Sequence, residues 1–152
     1  SIGRPHIAEV LVEKGYVKTT KEAFHLYIAN DKPASFPFES PDSSEAIMWI
    51  RDAGGVPVLA HPHWTNRKGP ELYAMCHRLK EAGLMGIEVF YSTHTRRQTS
   101  EYLELARKFD LVITGGSDFH GTAKPNIQVG RGKGNLRVTD KLLEPLRKAA
   151  RN

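Results

Sequence analysis

Cysteine is nearly absent from this sequence, which has Cys76 as its single thiol among 152 residues. One cysteine excludes an internal disulfide and offers no thiolate cluster for zinc. No apolar run approaches the roughly 20 residues that a membrane-spanning helix needs. The opening residues SIGRPHIAEVLVEKG are charged and helical in pattern, unlike a signal peptide. Arginine-rich tails and repeat units are also lacking, and we expect a cytoplasmic protein.

The composition is that of a folded domain with a basic surface. Apolar residues make up 39% and charged residues 26% of the sequence, a balance that disordered proteins lack. A length of 152 residues suits one domain with a buried core. The net charge of +5 favours anionic partners such as phosphates, nucleotides or RNA, although a merely basic surface explains it equally well.

Helical and strand-like patterns alternate along the chain. Capping residues and apolar spacing predict helices at residues 5–14, 19–30, 42–53, 70–82, 96–108 and 140–150. Short apolar runs predict strands at 56–60, 86–91 and 111–116. The order strand–helix–strand–helix–strand implies a parallel sheet with right-handed crossovers, in a barrel or an open α/β sheet. Ligands of such sheets gather at the carboxyl ends of the strands.

Each predicted strand is followed by histidine or aspartate. The first is followed by His61, the second by His94, and the third by Asp118 and His120. Neighbouring parallel strands lie about 4.8 Å apart, so side chains at adjacent strand ends can approach one metal ion. Asp118 and His120 point the same way in extended backbone, being two residues apart. Imidazole and carboxylate together suit zinc, manganese or iron, whereas the alternative for this pair is to cap the next turn.

The remaining candidates divide by their distance from the strand ends. His61 ends its strand directly and is the predicted ligand, whereas His63 lies one step into the loop and is predicted to line the site. His94 is a candidate for substrate contact or proton transfer, and Asp118 is a second candidate for the proton step. Glu88, inside the second strand, either supports a ligating histidine or pairs with a lysine in the core.

Three basic residues are candidates for contact with phosphate. Arg4 and His6 stand at the start of the first predicted helix, where helix amino ends attract anions and arginine offers a two-pronged donor. The alternative for them is a capped helix with a surface arginine. Lys124, after the third strand, is a further candidate for neutralising the charge of a phosphate.

Several long strings, in order, resemble the PHP (polymerase and histidinol phosphatase) family, in its stand-alone bacterial phosphoesterase branch. They are GRPHIAEVLVEKGYV, AGGVPVLAHP, GIEVFYSTH and TGGSDFHG with Lys124-Pro125 after it, and the resemblance covers roughly residues 2–138. It implies a distorted (β/α)7 barrel that holds up to three manganese, zinc or iron ions. It also implies hydrolysis of phosphate esters, of nucleotides or short oligoribonucleotides, through attack of metal-activated water.

The resemblance also implies roles for particular residues. His61 matches the family's third metal motif, and Asp118 with His120 matches the fourth. The substrate-binding positions, associated with phosphate and leaving-group contact, are matched by Arg4, His6 and His94.

One departure from the family is large. The family opens with a strand that ends in an H-x-H motif, followed by further acidic and histidine ligands, and this sequence has no such segment. The sequence therefore resembles the C-terminal part of a PHP domain. On this interpretation 1–41 is a helical insertion-like segment, 42–138 holds the βα units of a partial barrel, and 139–152 is the closing helix. We expect this part alone to be inactive or weakly active, and to self-associate or pair with the missing N-terminal half.

Two other classes of function stay open. A non-catalytic nucleic-acid-binding module would bind RNA in a salt-dependent way that survives loss of Asp118 and His120. A regulatory domain with an incomplete metal site would keep the fold while its polar residues face inward without a cavity.

Overall fold

The computed structural model of the chain describes residues 3–35, 40–121, 124–134 and 136–150. Two compact units are present, Ser1–Ser40 and Pro41–Asn152, and each has its own apolar core. No helix within the described residues is both long and apolar enough to cross a lipid bilayer.

The first unit consists of two helical segments. Helix α1 spans Arg4–Glu13 and has a proline in its first turn, where a missing N–H costs no hydrogen bond. Helix α2 spans Thr20–Ala23 and begins where the Thr19 hydroxyl accepts a hydrogen bond from the backbone N–H of Glu22 at 3.1 Å. The chain then widens into a π-helical turn, Phe24–Ile28. The single helix predicted at 19–30 is thus one α turn followed by one π turn.

The second unit contains a three-stranded parallel sheet in the order β1-β2-β3, as the alternating pattern predicted. The strands are β1 (Val58–Leu59), β2 (Gly86–Tyr91) and β3 (Val112–Gly116). The helices are α3 (Ser43–Asp52), α4 (Gly69–Glu81), α5 (Arg96–Lys108) and α6 (Leu143–Ala149). A 3₁₀ turn, Asp140–Leu142, precedes α6, so the helix predicted at 140–150 begins as a tighter turn. The larger barrel stays a prediction.

Strand β1 is shorter than the predicted strand 56–60. Its two residues pair with Gly86 and Ile87 of β2. Pro57, directly before it, has no N–H to donate to a ladder, and its carbonyl accepts instead from the backbone N–H groups of Met85 and Gly86 at 3.0 and 3.1 Å. The apolar run is therefore strand over only two residues, with Pro57 buried and Val58 and Leu59 half-buried.

The core of the second unit lies between the sheet and helices α4 and α5. Leu72 and Cys76 of α4, Ile87 and Val89 of β2, and Tyr102 of α5 are each no more than 1% exposed. Burial of such side chains contributes roughly 1.5–3 kcal/mol each before the entropy cost of ordering them. This packing fixes the central strand β2, and with it the positions of the polar residues that follow each strand.

Candidate active site

The carboxyl ends of the three strands lie side by side at one edge of the sheet. We call this edge the rim and define it as residues 60–66, 91–95 and 116–121. It contains the predicted site residues His61, His94, Asp118 and His120.

Tyr91 links two of the predicted metal ligands. Its hydroxyl donates a hydrogen bond to Oδ2 of Asp118 at 2.8 Å, and its ring centroid lies 5.4 Å from that of His61. Burial and the neighbouring carboxylate of Asp118 raise the pKa of Tyr91, so the phenol stays protonated and remains a donor. The imidazole of His61 and the carboxylate of Asp118 therefore share one neighbour on the same edge of the sheet.

Asp118 is held as a carboxylate by the groups around it. Burial alone would raise its pKa, but hydrogen bonds from Lys124 and Tyr91, with the positive charge of Lys124, outweigh burial and lower the pKa. The Lys124 ammonium contacts Oδ2 directly, and Nδ1 of His120 lies 3.4 Å from Oδ1. A negatively charged oxygen pair at this point suits a cation.

His120 has the hydrogen bond that is typical of a ligating histidine. Its Nδ1 lies 2.8 Å from the backbone carbonyl oxygen of Asp118. Because a carbonyl only accepts, Nδ1 carries the proton, and the lone pair of the neutral ring is on Nε2. Metal-binding histidines commonly hold their second nitrogen in this way. The donor chemistry of Asp118 and His120 therefore fits a divalent metal.

Two of the predicted ligands have a backbone conformation that most side chains avoid. His61 has φ of 36° and Asp118 has φ of 60°, both in the left-handed region. Such conformations persist where the surrounding structure imposes them, and they concentrate at functional sites. The backbone turns sharply at the ends of both outer strands, and this turn aims the side chains.

Glu88 lies beneath the rim, between the two outer strands. Its Oε2 accepts a hydrogen bond from the backbone N–H of His61 at 2.7 Å. A Cβ atom on Gly116 would approach Oε1 to 3.1 Å, so the missing side chain there leaves room for the carboxylate. Burial raises the pKa of Glu88. Two roles were considered for Glu88, and this contact agrees better with support of the predicted ligand His61 than with a lysine pair. The contact is to the backbone of His61 and not to its ring.

His94 and His63 form a hydrogen-bonded pair within the rim. Nδ1 of His94 lies 2.9 Å from the Val89 carbonyl oxygen and must donate to it, which leaves Nε2 as an acceptor. Nδ1 of His63, 3.0 Å away, is then the donor, and Nε2 of His63 accepts from the hydroxyl of Thr93 at 3.2 Å. Burial lowers the pKa of both imidazoles, and the charge of His61 lowers both further. Both rings are therefore neutral, each in one fixed tautomer.

The predicted ligands do not form a closed metal site by themselves. Within the described residues, no group of three or more His, Cys, Asp or Glu side chains is gathered so that it could hold an ion. His61, Asp118 and His120 accordingly stay predicted ligands, of which the last two fit best.

Arg4 and His6 belong to the first unit, where local contacts place them. Nη1 of Arg4 donates to Oδ1 of Asn30 at 2.9 Å and to the carbonyl of Ile28 at 3.4 Å. Nδ1 of His6 accepts from the backbone N–H of Gly3 at 2.9 Å, so the neutral ring has its proton on Nε2. Contact of Arg4 and His6 with phosphate stays a prediction.

Sequence reasoning missed Tyr91. The sheet register pairs it with Gly116, two residues before Asp118, so its hydroxyl reaches the carboxylate across neighbouring strands. An aromatic hydroxyl as the last residue of a buried strand was the available signal. This signal points to Asp118 only when β2 is known to be the central strand, with β3 beside it.

Comparison with known proteins gives a consistent result, although no protein-family model matches the sequence. Over 129 residues the chain is 30% identical to a 3′,5′-nucleoside bisphosphate phosphatase from Chromobacterium violaceum, covering 85% of this chain and 45% of the relative. Over 119 residues it is 34% identical to a 5′-3′ exoribonuclease from Haemophilus influenzae, covering 78% and 43%. The chain spans about half the length of the curated relatives it matches.

A solved structure agrees with these relatives. The crystal structure of a protein from Bifidobacterium adolescentis, assigned as a metal-dependent phosphoesterase, superposes with a TM-score of 0.72 at 34% identity, covering 95% of this chain and 49% of that protein. These relatives and this solved structure are named as enzymes that cleave phosphate esters. In sequence and fold the chain is similar to about half of such a protein, which supports its resemblance to the bacterial phosphoesterases of the PHP family.

Proposed function

We propose that the protein is a metal-dependent phosphoesterase in which His61, Asp118 and His120 are metal ligands. The observation on which this depends most is that Tyr91 contacts both the His61 ring and the Asp118 carboxylate. The names of the two curated relatives support nucleotides or oligoribonucleotides as the substrate class. These residues would hold a zinc, manganese or iron ion, of which the complete site would have up to three, and such an ion would lower the pKa of bound water and polarise the phosphoryl group.

Arg4 and His6 in the first unit, and Lys124 in the second, are separate candidates for binding phosphate. Arg4 presents a planar guanidinium, and His6 presents an Nε2–H donor when neutral. Lys124, whose ammonium contacts Asp118, brings positive charge to the same point of the rim. Fixed positive groups of this kind stabilise the charge that develops on the transferring phosphoryl group.

Two groups are proposed for moving a proton. Asp118 is a carboxylate with a lowered pKa, which suits it to accept hydrogen bonds and to bind metal more than to act as a strong base. His94 donates to the Val89 carbonyl and accepts from His63, so it would take up a proton through the Nε2 atom of His63.

Metal analysis of the full-length protein tests the proposal. We expect Asp118→Asn and His120→Gln each to lower the bound metal per chain, and to reduce hydrolysis of a nucleotide phosphate ester by about 100-fold or more. Asparagine is chosen because it tolerates a positive φ. His77→Gln is the matched control, since His77 lies on α4 and pairs with Glu81 at 3.4 Å. Unchanged metal content and rate in both site variants would exclude the assignment.

We also propose that the 152-residue chain alone is inactive or weakly active and completes its sheet by pairing, with a second copy or with an N-terminal half. Within the described residues, β1 and β3 each have one hydrogen-bonded neighbour, which supports this. Light scattering of the purified chain, with a rate assay on the same sample, tests both parts. A monomer with turnover equal to that of the full-length protein would contradict them.

A further inference from the structure

A large aromatic side chain lies exposed next to the predicted metal ligands. Trp64 is 69% exposed and belongs to the 3₁₀ turn Pro62–Thr65, which follows His61 directly. A single exposed apolar side chain needs no explanation by itself. Trp64 differs from such a residue because it lies next to a predicted metal ligand and because hydrogen bonds hold its backbone.

The turn that presents Trp64 is internally hydrogen bonded. The backbone N–H of Trp64 donates to the carbonyl of His61 at 2.9 Å, and the Thr65 hydroxyl donates to the carbonyl of Pro62 at 2.7 Å. The Pro62 side chain is fully buried beneath them. The indole is therefore held out from a fixed turn, so a flat ligand would meet a surface that is already ordered.

A row of aromatic rings connects Trp64 to Asp118. The ring centroids of Trp64 and His63 lie 5.2 Å apart. Those of His63 and Tyr91 also lie 5.2 Å apart, and the Tyr91 hydroxyl is 2.8 Å from the Asp118 carboxylate. One end of the row is thus a candidate cation and phosphate site, and the other end is an open indole face.

From this juxtaposition we propose that Trp64 forms a subsite on which the nucleobase of the substrate stacks. The inference rests on the proposed phosphoesterase function and extends it to the part of the substrate that is not hydrolysed. Indole faces stack on every base because each base has a π face, and such contacts are sequence-tolerant. A phosphate ester whose alcohol portion contains an aromatic ring could contact the row at both Asp118 and Trp64. A sugar phosphate without a base could contact it only at Asp118.

Ligand binding to variants of the full-length protein tests this subsite. The probes are adenosine 5′-monophosphate, which has a base, and ribose 5-phosphate, which lacks one. We expect Trp64→Leu to weaken binding of the nucleotide by about tenfold and to leave ribose 5-phosphate unchanged. Trp64→Phe should recover most of the affinity, because phenylalanine keeps a stacking face. Calorimetric titration in the presence of a chelator, which prevents metal-dependent turnover, measures the binding of both ligands.

The chain offers a matched control in its second tryptophan. Trp49 lies on α3, is 56% exposed, and is not part of the rim, so Trp49→Leu should change neither affinity. The inference is wrong if Trp64→Leu weakens both ligands equally, if it weakens neither, or if the unsubstituted protein binds the two ligands equally well. Failure of the proposed phosphoesterase function would be distinguishable. In that case hydrolysis would be absent while the nucleotide still bound more tightly than ribose 5-phosphate.

Discussion

Nδ1 of His63 lies 3.0 Å from Nε2 of His94, and the hydrogen bond between them joins the loop after β1 to the loop after β2. The Val89 carbonyl fixes the direction of this bond, because it requires the proton of His94 to be on Nδ1. His63, which the sequence predicts only to line the site, is thereby the ring through which His94 would exchange a proton.

The fixed tautomers can be tested with two substitutions. Asparagine at 94 keeps a donor near the Nδ1 position and removes the Nε2 acceptor, whereas glutamine keeps an acceptor near Nε2. We expect His94→Asn to release His63 from its Nδ1–H tautomer and His94→Gln to retain it. Nitrogen-15 spectra of the imidazoles report the tautomer directly. Identical His63 spectra in wild type and in His94→Asn would show that the bond is not formed in solution.

Stability should depend on the pH through the same pair. Burial lowers the folded-state pKa of His94, helped by the charges of His63 and His61, whereas the unfolded value is about 6.5. Between the two pKa values the unfolded chain binds a proton on His94 that the folded chain does not. The contribution of neutral His94 to the free energy of unfolding is therefore fully present above about pH 6.5 and is lost as the pH falls through the folded-state pKa. Urea unfolding from pH 8 to 5, with chelator present, measures the slope.

A substitution at position 94 isolates the contribution of that ring. His94→Asn should flatten the fall in stability below pH 6.5, whereas His77→Gln, on the surface of α4, should leave it unchanged. Equal slopes in all three proteins would mean that His94 does not resist protonation in the folded state.

Removing the Tyr91 hydroxyl should loosen Asp118 without opening a cavity. Tyr91→Phe keeps the buried ring and deletes the donor at 2.8 Å from the carboxylate. We expect the free energy of unfolding to drop by about 1 kcal/mol. The pKa of Asp118 should rise, because one of the hydrogen bonds that lower it is lost. Denaturant unfolding and carboxyl titration by NMR measure the two effects, and no rise in that pKa would contradict the contact.

The two glycines that end β3 should respond differently to alanine. A Cβ on Gly115 would lie 2.8 Å from Cβ and 2.9 Å from the carbonyl oxygen of Phe90, which cannot move away, so we expect a loss of about 2 kcal/mol. A Cβ on Gly116 would lie 3.1 Å from Oε1 of Glu88, the end of a flexible side chain, and 4.0 Å from the backbone nitrogen of Asp118, which is an ordinary contact. We expect that variant to lose less than about 1 kcal/mol. Equal losses in thermal unfolding would contradict this packing.

The sequence predicted the bounds of a strand or helix well where a local pattern of residues determines them. The bounds of β2 and α5 match the prediction, because an apolar run followed by a Thr95 capping box marks the boundary between them. The length of strand β1 was overestimated, since an apolar run does not by itself provide ladder partners for a segment that contains Pro57.

The contacts within the site could not be predicted in the same way. The bond from Tyr91 to Asp118 depends on a register shift between Glu88 and Phe90 in the pairing of β2 with β3. The turn that brings His63 to His94 follows a left-handed residue at position 61. Neither feature has a local sequence signal, because both result from how three separate strand ends pack together.

The left-handed backbone at His61 and Asp118 has a consequence for how this protein can change. Glycine adopts that conformation at no steric cost, so replacing either residue with glycine should relieve a local penalty of about 1 kcal/mol or more. Glycine at position 61 would then stabilise the fold while removing a predicted metal ligand, whereas glycine at position 118 would also lose the hydrogen bonds that Asp118 accepts from Tyr91 and Lys124. Selection for stability alone would therefore favour glycine at position 61, and only the function of the site would favour histidine there.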